Sequence, residues 1–256
     1  MKDRVAIVTG GGGGIGSEVC RAFVREGAAV AVADFQADEA KQVAGEIASK
    51  GGSALAVKVD VTSQRSVCAA VRRVVAHLGR VDYLVHCAGN NIKAPLLEMT
   101  LEQWRTALDT HLTGAFLFCR EVGKQLVSQG EGGRVVLMSS VAAVSPVPER
   151  GAYSPAKAGL VSLAKMLSLE WARYKINVNA VCPGVAQTPM TRLVYQRDPA
   201  LRTQRLKRMP LGREVLPEEI AELVVFLCSD RSSYINGTGI VIDGGFLNSG
   251  FMTATE

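Results

Sequence analysis

The stretch that decides the fold is VAIVTGGGGGIG, residues 5–16, in which an apolar strand-like run passes directly into a glycine-rich turn. A helical pattern begins at Ile15, so the glycines lie between a predicted strand and a predicted helix. Glycines there permit a tight turn and let a pyrophosphate approach backbone amides at the positive end of the helix. A glycine run alone also fits a flexible loop, but this position favours a dinucleotide site.

The rest of the chain repeats the alternation of strand and helix. Most strand-like runs are continuous Val, Ile, Ala and Leu, as expected where helices cover both faces of a parallel sheet. The predicted strands cover residues 4–9, 29–34, 54–59, 83–87, 134–139, 176–181 and 239–242. The predicted helices cover residues 16–26, 38–50, 63–78, 101–128, 152–174 and 217–228. The series predicts an α/β fold, a doubly wound Rossmann-type sheet of seven parallel strands flanked by helices, in a single domain over residues 1–256.

Composition narrows the classes of protein. A chain of 256 residues, 48% of them hydrophobic, can bury a sizeable core. No apolar run approaches the ~18 residues of a membrane helix, and the first strand begins too early for a signal peptide. The six cysteines form no CxxC pair and the three histidines form no cluster, so we expect a reducing, cytoplasmic location and no metal site.

The net charge of +5 is concentrated near one segment. We expect a flexible substrate loop at about residues 189–213, which holds most of the excess. This basic segment is either a solvated surface or a cover over a site that receives anions, and nucleic-acid binding is not expected. Its cations are Arg192, Arg197, Arg202, Arg205, Lys207, Arg208 and Arg213, against the single acid Asp198.

Tyr153 and Lys157 form the most informative pair of side chains. Residues four apart lie on one face of a helix, so the ammonium can sit beneath the phenol. A free phenol ionises only near pH ~10, and a neighbouring cation favours the phenolate. Proton exchange with an alcohol or carbonyl then becomes practical. Ser140, thirteen residues upstream of Tyr153, adds a hydroxyl at the end of a predicted strand.

Asp34 ends the second predicted strand, eighteen residues after Gly16. An acidic residue at this point accepts hydrogen bonds from the adenosine ribose hydroxyls and repels a 2′-phosphate. Phe35, Gln36 and residues 11–14 supply no cation that could bind such a phosphate. The pattern therefore predicts NAD rather than NADP, and a capping role for Asp34 is compatible with it.

Together these motifs resemble the short-chain dehydrogenase/reductase family along nearly the whole chain. Single motifs are only suggestive, whereas their common order and spacing are specific. The matching positions are TGxxxGxG at 9–16, Asp60-Val61, Cys87-Ala88-Gly89, Ser140, YxxxK at 153–157, PGxxxT at 183–188 and Asp243-Gly244-Gly245.

The resemblance implies a role for each matching residue. Tyr153 is expected to be the general acid/base, with Lys157 favouring its phenolate and holding the nicotinamide ribose. Ser140 is expected to bind the substrate oxygen, and the adjoining Ser139 to be structural. The expected cofactor-binding residues are Gly10, Gly13, Ile15, Asp34, Asp60, Val61, Ala88, Gly89, Tyr153, Lys157, Ala186 and Thr188.

Two positions depart from the family pattern. The family usually has an asparagine on the long fourth helix that anchors water for a proton relay, and His111 stands there instead. A neutral imidazole can donate and accept hydrogen bonds, so His111 either takes over the catalytic relay or has no part in it. Cys87 replaces an asparagine thought to brace the central strands, which bears on local stability.

The sequence thus predicts an NAD-dependent oxidoreductase that interconverts a secondary alcohol and its ketone. One alternative is a reductase of 3-oxoacyl chains on a carrier protein, although Glu131 and Tyr174 stand where such enzymes present arginines. Another is a catalytically silent nucleotide-sensing protein, for which His111 is the only support. The expected partners are a small alcohol or carbonyl compound, with an anionic group bound by Arg150 or Arg192 as one option, and identical chains in a homotetramer. No membrane partner is expected.

Overall fold

The computed structural model describes residues 1–251 and contains a sheet of seven strands, all paired in parallel. The strand order is β3-β2-β1-β4-β5-β6-β7, which confirms the predicted doubly wound α/β fold. The observed strand ends differ from the predicted ones by at most two residues. The strands are β1 (Val5–Thr9), β2 (Ala29–Asp34), β3 (Ala54–Lys58), β4 (Tyr83–His86), β5 (Gly133–Met138), β6 (Ile176–Pro183) and β7 (Gly239–Ile242).

Helices cover both faces of this sheet. One apolar core lies between the sheet and α1, α2 and α9, and the other lies between the sheet and α3, α5 and α6. No helix among residues 1–251 is both long enough and apolar enough to cross a membrane. The helices are α1 (Gly14–Arg25), α2 (Ala37–Ser49), α3 (Gln64–Leu78), α4 (Leu101–Leu108), α5 (Gly114–Gln129), α6 (Tyr153–Trp171), α7 (Pro189–Arg197), α8 (Pro199–Lys207) and α9 (Pro217–Cys228).

The strand order places the candidate site. After β1 the chain builds β2 and β3 on one side, and β4 then returns to the other side of β1. At such a switch point the loops leave the carboxyl ends of neighbouring strands in opposite directions and open a crevice. The glycine turn after β1 and the segment that begins at Cys87, after β4, therefore meet above the same edge.

The prediction of one uninterrupted helix over residues 101–128 is wrong. A π-helical turn, Asp109–Thr113, separates α4 from α5, and the amide of Gly114 donates to the carbonyl of Asp109, five residues back. The hydroxyl of Thr110 donates to the carbonyl of Thr106 at 2.8 Å and so competes for the regular backbone ladder. A π turn of this kind accommodates one extra residue within an otherwise α-helical run.

The expected loop at residues 189–213 is helical over most of its length, which corrects the sequence prediction. Thr188 caps α7 by accepting from the amide of Thr191, and Asp198 caps α8 by accepting from the amide of Leu201. Each cap is followed by proline at the first helical position, where its fixed φ favours a helix. The prediction overlooked these two start signals among the basic residues.

Candidate active site

The glycine turn is held by contacts that exclude larger residues. Gly10 has φ of +66°, and a Cβ there would lie 3.0 Å from the backbone of Ala88. A Cβ on Gly16 would lie 2.1 Å from the carbonyl oxygen of Gly10. The turn thus packs directly against the segment after β4, as the predicted dinucleotide site requires.

The same turn leaves a surface that fits a pyrophosphate. α1 begins at Gly14, and its N-cap, Gly13, supplies no side-chain hydrogen bond to the first helical amides. A Cβ on Gly13 would meet only the Glu39 carboxylate at 3.8 Å, and one on Gly14 would meet only Thr188 at 3.7 Å. Uncapped amides with open space above them at a positive helix end suit an anion. Ile15 lies in this first turn of α1.

Asp34 lies at the rim of the glycine turn. Its carboxylate accepts hydrogen bonds from the amides of Gly12 at 2.9 Å and Gln36 at 3.0 Å. Glu39 on α2 brings a second carboxylate against the turn, since a Cβ on Gly12 would touch its Cβ at 2.7 Å. The sequence reasoning missed Glu39; the signal that could have found it is an acid in the first turn of the helix that follows β2.

Two further predicted cofactor residues follow β3. Asp60 accepts hydrogen bonds from the amide of Thr62 at 2.9 Å and from its hydroxyl at 2.7 Å. Val61 is buried, and a Cβ on Gly114 at the start of α5 would lie 2.9 Å from its side chain. These contacts fix the segment that follows β3. That Asp60 and Val61 contact adenine stays a prediction.

Tyr153 and Lys157 lie on one face of α6, as predicted, with the ammonium nitrogen 5.5 Å from the centre of the phenol ring. The Lys157 ammonium is buried and donates to the carbonyl oxygen of Met138 at 2.7 Å. Burial lowers the pKa of Lys157, and the neighbouring Tyr153 opposes that shift. The pair therefore places a buried cation beside a half-buried phenol.

Ser139 and Ser140 divide two tasks at the end of β5. The Ser139 hydroxyl donates to the carbonyl oxygen of Lys157 at 2.8 Å, which fixes α6 to the strand and fits the expected structural role. Ser140 follows it, and its hydroxyl oxygen accepts from the amide of Ala142 at 3.1 Å. Because Ser139 is bonded to α6, the adjoining Ser140 lies near the same end of that helix.

His111 is brought to Tyr153 by the π turn. Its ring meets the Tyr153 ring edge-on, with centroids 5.4 Å apart, and a Cβ on Gly89 would lie 2.4 Å from it. Nε2 lies 3.0 Å from the carbonyl oxygen of Asn90, so with the proton on Nε2 it donates to that carbonyl. Nδ1 is then a buried acceptor without a partner among the described residues.

A second buried histidine, His86, ends β4. Its Nδ1 lies 3.0 Å from the hydroxyl oxygen of Thr9, which also accepts from the amide of Ala88 at 3.2 Å. Burial lowers the pKa of His86 to about 3 and that of His111 to about 3, and the charge of Lys157 acts in the same direction. Thr9 and His86 thus join β1 to β4 directly before Cys87, a role the sequence reasoning did not assign.

The two buried imidazoles make stability depend on pH. Above about pH 6.5 they are neutral in both the folded and unfolded states, but below it only the unfolded chain takes up protons readily. Each should therefore remove about 1.4 kcal/mol of stability per pH unit as the pH falls from about 6 to 4. We expect His86→Asn to reduce this slope by the contribution of one titrating group. Urea unfolding at a series of pH values measures the slope.

Thr9→Val is the matched control for this experiment. It removes the hydrogen bond to His86 without removing the titrating ring, so it should lower stability at every pH and keep the slope. An unchanged slope in His86→Asn would mean that this ring does not resist protonation in the folded protein.

Ala186 and Thr188 carry the chain from β6 to α7. Ala186 is buried and pairs with Val215 in an isolated parallel bridge. Thr188 accepts from the amide of Thr191 at 3.2 Å, and its side chain lies over Gly14. The residues predicted to hold the carboxamide therefore lie above the start of α1, beside the glycine turn.

Comparison with known proteins agrees with this arrangement. A family model described as Enoyl-(Acyl carrier protein) reductase matches residues 10–247. The D-threitol dehydrogenase of Mycolicibacterium smegmatis is 38% identical, over 96% of this chain and 94% of its own length. The cis-4-hydroxycyclohexanecarboxylate dehydrogenase of Sinomonas cyclohexanicum is also 38% identical, over 95% of this chain and 96% of its own.

A solved structure extends the likeness to the whole fold. The structure of a short-chain type dehydrogenase/reductase from Mycobacterium marinum superposes with a TM-score of 0.89 at 35% identity and covers 96% of each chain. The matches to the family model, to the two relatives and to the solved structure all span nearly the full chain. The chain therefore belongs to the short-chain dehydrogenase/reductase family.

Proposed function

We propose that this oxidoreductase is an NAD-dependent dehydrogenase that interconverts a secondary alcohol and its ketone. The observation that carries the proposal is the buried Lys157 ammonium, 5.5 Å from the centre of the Tyr153 ring, in a chain whose glycine turn fits a pyrophosphate. D-threitol, named for one relative, carries secondary as well as primary hydroxyl groups. A nicotinamide dinucleotide, when bound, supplies the hydride acceptor or donor.

Three side chains carry out the proton chemistry of this proposal. In the oxidative direction the Tyr153 oxygen accepts the alcohol proton, because the nearby Lys157 charge stabilises the phenolate. Ser140 donates to the substrate oxygen and stabilises the charge that develops on it. In the reductive direction Tyr153 returns the proton to that oxygen.

We propose that His111 supports this chemistry by holding Tyr153 and the segment after β4 in position. Its edge-on contact restrains the Tyr153 ring, and its bond to the Asn90 backbone fixes the segment after β4. The Nδ1 atom has no partner among the described residues, and with the proton on Nε2 it is an acceptor that a relay water could use. With its pKa lowered to about 3 by burial, His111 is neutral at physiological pH and able to take part in such a relay.

The preference for NAD is proposed from two carboxylates. Asp34 lies at the end of β2, and Glu39 lies against the same glycine turn. Both would repel a 2′-phosphate, and Asp34 can accept from ribose hydroxyls instead. Oxidation is the direction that this preference favours, because cells usually keep the NAD pool oxidised.

The proposal is tested by mixing the protein with NAD or NADP and a panel of secondary alcohols that includes polyols. We expect the absorbance band of the reduced cofactor to rise with NAD and at least one alcohol of the panel. Boiled protein is the control. Cofactor binding without turnover of any alcohol or ketone would favour the nucleotide-sensing alternative.

The carrier-protein alternative receives less support. Glu131 is tied to Arg4 and Arg80 in ion pairs at 2.9 and 2.6 Å, so an acidic group stands where a basic one is expected. The nearby Arg134 faces Asp230 at 3.6 Å, and Arg173 stacks on a tyrosine. The acidic Glu131 and the pairing of Arg134 therefore weaken the attraction of this surface for an acidic carrier, although Arg173 keeps its charge.

The proposal includes assembly into a homotetramer. Helices α5 and α6 carry apolar side chains that are exposed in the single chain, which suits contact with other copies. They are Phe116, Val127, Met166 and Leu169.

A further inference from the structure

Arg150 is a second cation, after Lys157, that lies beside the ring of Tyr153. Its guanidinium carbon lies 5.8 Å from the centre of the Tyr153 ring, and the residue is half-buried. Its side chain makes one hydrogen bond, from Nη1 to the side-chain oxygen of Asn91. Asn91 is neutral, so four of the five guanidinium N–H groups and the whole charge remain available.

The lack of an acidic partner distinguishes Arg150 from most of the half-buried arginines among residues 1–251. Among residues 1–251, neither Arg150 nor Arg205 forms an ion pair. Burial lowers the pKa of Arg150, and the positive charge of Arg205 on α8 lowers it further. Within the described residues, no ion pair neutralises the charge of Arg150. Arginines that do have such a partner are Arg4, Arg21, Arg25, Arg80, Arg120, Arg134, Arg202 and Arg213.

The backbone is bent to present Arg150. Glu149 has φ of +59° and Gly151 has φ of +42°, so left-handed residues flank Arg150 on both sides. Arg150 itself pairs with Ala94 in an isolated parallel bridge. A non-glycine residue with positive φ is unfavourable, and such strain is concentrated at functional sites. The turn therefore holds the guanidinium beside Tyr153 at a conformational cost.

We propose that Arg150 binds a carboxylate on the substrate, so that the preferred substrate is a hydroxy carboxylate. This inference rests on the proposed dehydrogenase function. With Nη1 bonded to Asn91, the guanidinium keeps an edge of two nitrogens that matches the two oxygens of a planar carboxylate. The carboxylate does not react: a bound nicotinamide would accept the hydride from the carbinol carbon, and Tyr153 would accept the hydroxyl proton.

The kinetic test compares 4-hydroxycyclohexanecarboxylate with its neutral methyl ester. We expect Arg150→Gln to lower the ratio of kcat/KM for the acid to that for the ester by about 10- to 100-fold, the effect of one charge-assisted pair. Glutamine can still donate to Asn91, so the loop contact is kept. Arg150→Lys should retain part of the ratio, and Asn91→Ala, which leaves the charge, should change it less than Arg150→Gln. The matched control is Arg73→Gln, at an exposed arginine on α3, which should leave the ratio unchanged.

An equilibrium test separates this inference from the dehydrogenase assignment. Cyclohexanecarboxylate and its neutral amide carry no hydroxyl, so their binding to the protein with NADH, followed by calorimetry, needs no turnover. Weaker binding of the carboxylate but not of the amide in Arg150→Gln supports the anion subsite even if no alcohol is oxidised. Equal loss for both probes, or no loss for either, overturns it even if the enzyme oxidises neutral alcohols.

Discussion

Tyr153→Phe should lower kcat by about 10³-fold or more while the protein still binds NADH. The substitution removes the phenol oxygen and keeps the ring that packs against His111, with centroids 5.4 Å apart. General acid–base catalysis by a placed side chain contributes roughly 10²- to 10⁴-fold, and Tyr153 is the group that lies beside the buried Lys157 ammonium. Steady-state rates with the best alcohol of the panel measure the loss.

The comparison needs a second Tyr→Phe variant. Tyr234 is fully exposed, so Tyr234→Phe is expected to leave kcat within about twofold of the wild type. NADH fluorescence checks that Tyr153→Phe retains cofactor binding. Near-normal turnover in Tyr153→Phe would show that a different group moves the proton.

Asp34→Asn should reduce the preference for NAD over NADP by about 30-fold or more. A unit charge within ~4 Å of a phosphate contributes several kcal/mol near a protein surface, and about 2 kcal/mol of that would survive screening. Asparagine keeps one side-chain oxygen, so it can still accept from the amide of Gly12 or of Gln36, which the aspartate now holds with one oxygen each. The variant therefore removes the charge and keeps one of the two bonds to the turn.

Two further variants show what selects the cofactor. Asp34→Ala should relax the preference by at least as much, and adding Glu39→Gln to Asp34→Asn should relax it further, because the Glu39 carboxylate borders the same glycines. Ratios of kcat/KM for the two cofactors provide the measurement. An unchanged ratio in all three variants would mean that other residues choose between NAD and NADP.

Much of the fold could be read from the sequence because its signals are local. Each strand is a short apolar run bounded by turns, and the glycine turn after β1 requires backbone conformations that only glycine adopts easily. The pairing of Tyr153 with Lys157 was also predictable, since helical spacing fixes which side chains share a face.

Other features depend on contacts between distant parts of the chain. Nothing near His86 in the sequence shows that Thr9, 77 residues away, provides its partner. The bond from Ser139 to the Lys157 carbonyl likewise exists only after α6 has packed on β5. The sequence did not predict where the Glu39 and Arg150 side chains lie, because spacing along the chain does not fix which loop a side chain will face.

The π turn at Asp109–Thr113 has a consequence for any experiment that scans α4 and α5. Each residue of an α-helix turns the chain by about 100°, so one extra residue shifts the phase of every later side chain by that angle. A helical wheel drawn straight through residues 101–128 therefore assigns the wrong face to one half of the run. Deleting a single residue within the turn should restore a continuous α-helix and rotate His111 away from Tyr153, so insertions and deletions at this joint will affect the protein more than most substitutions on either side.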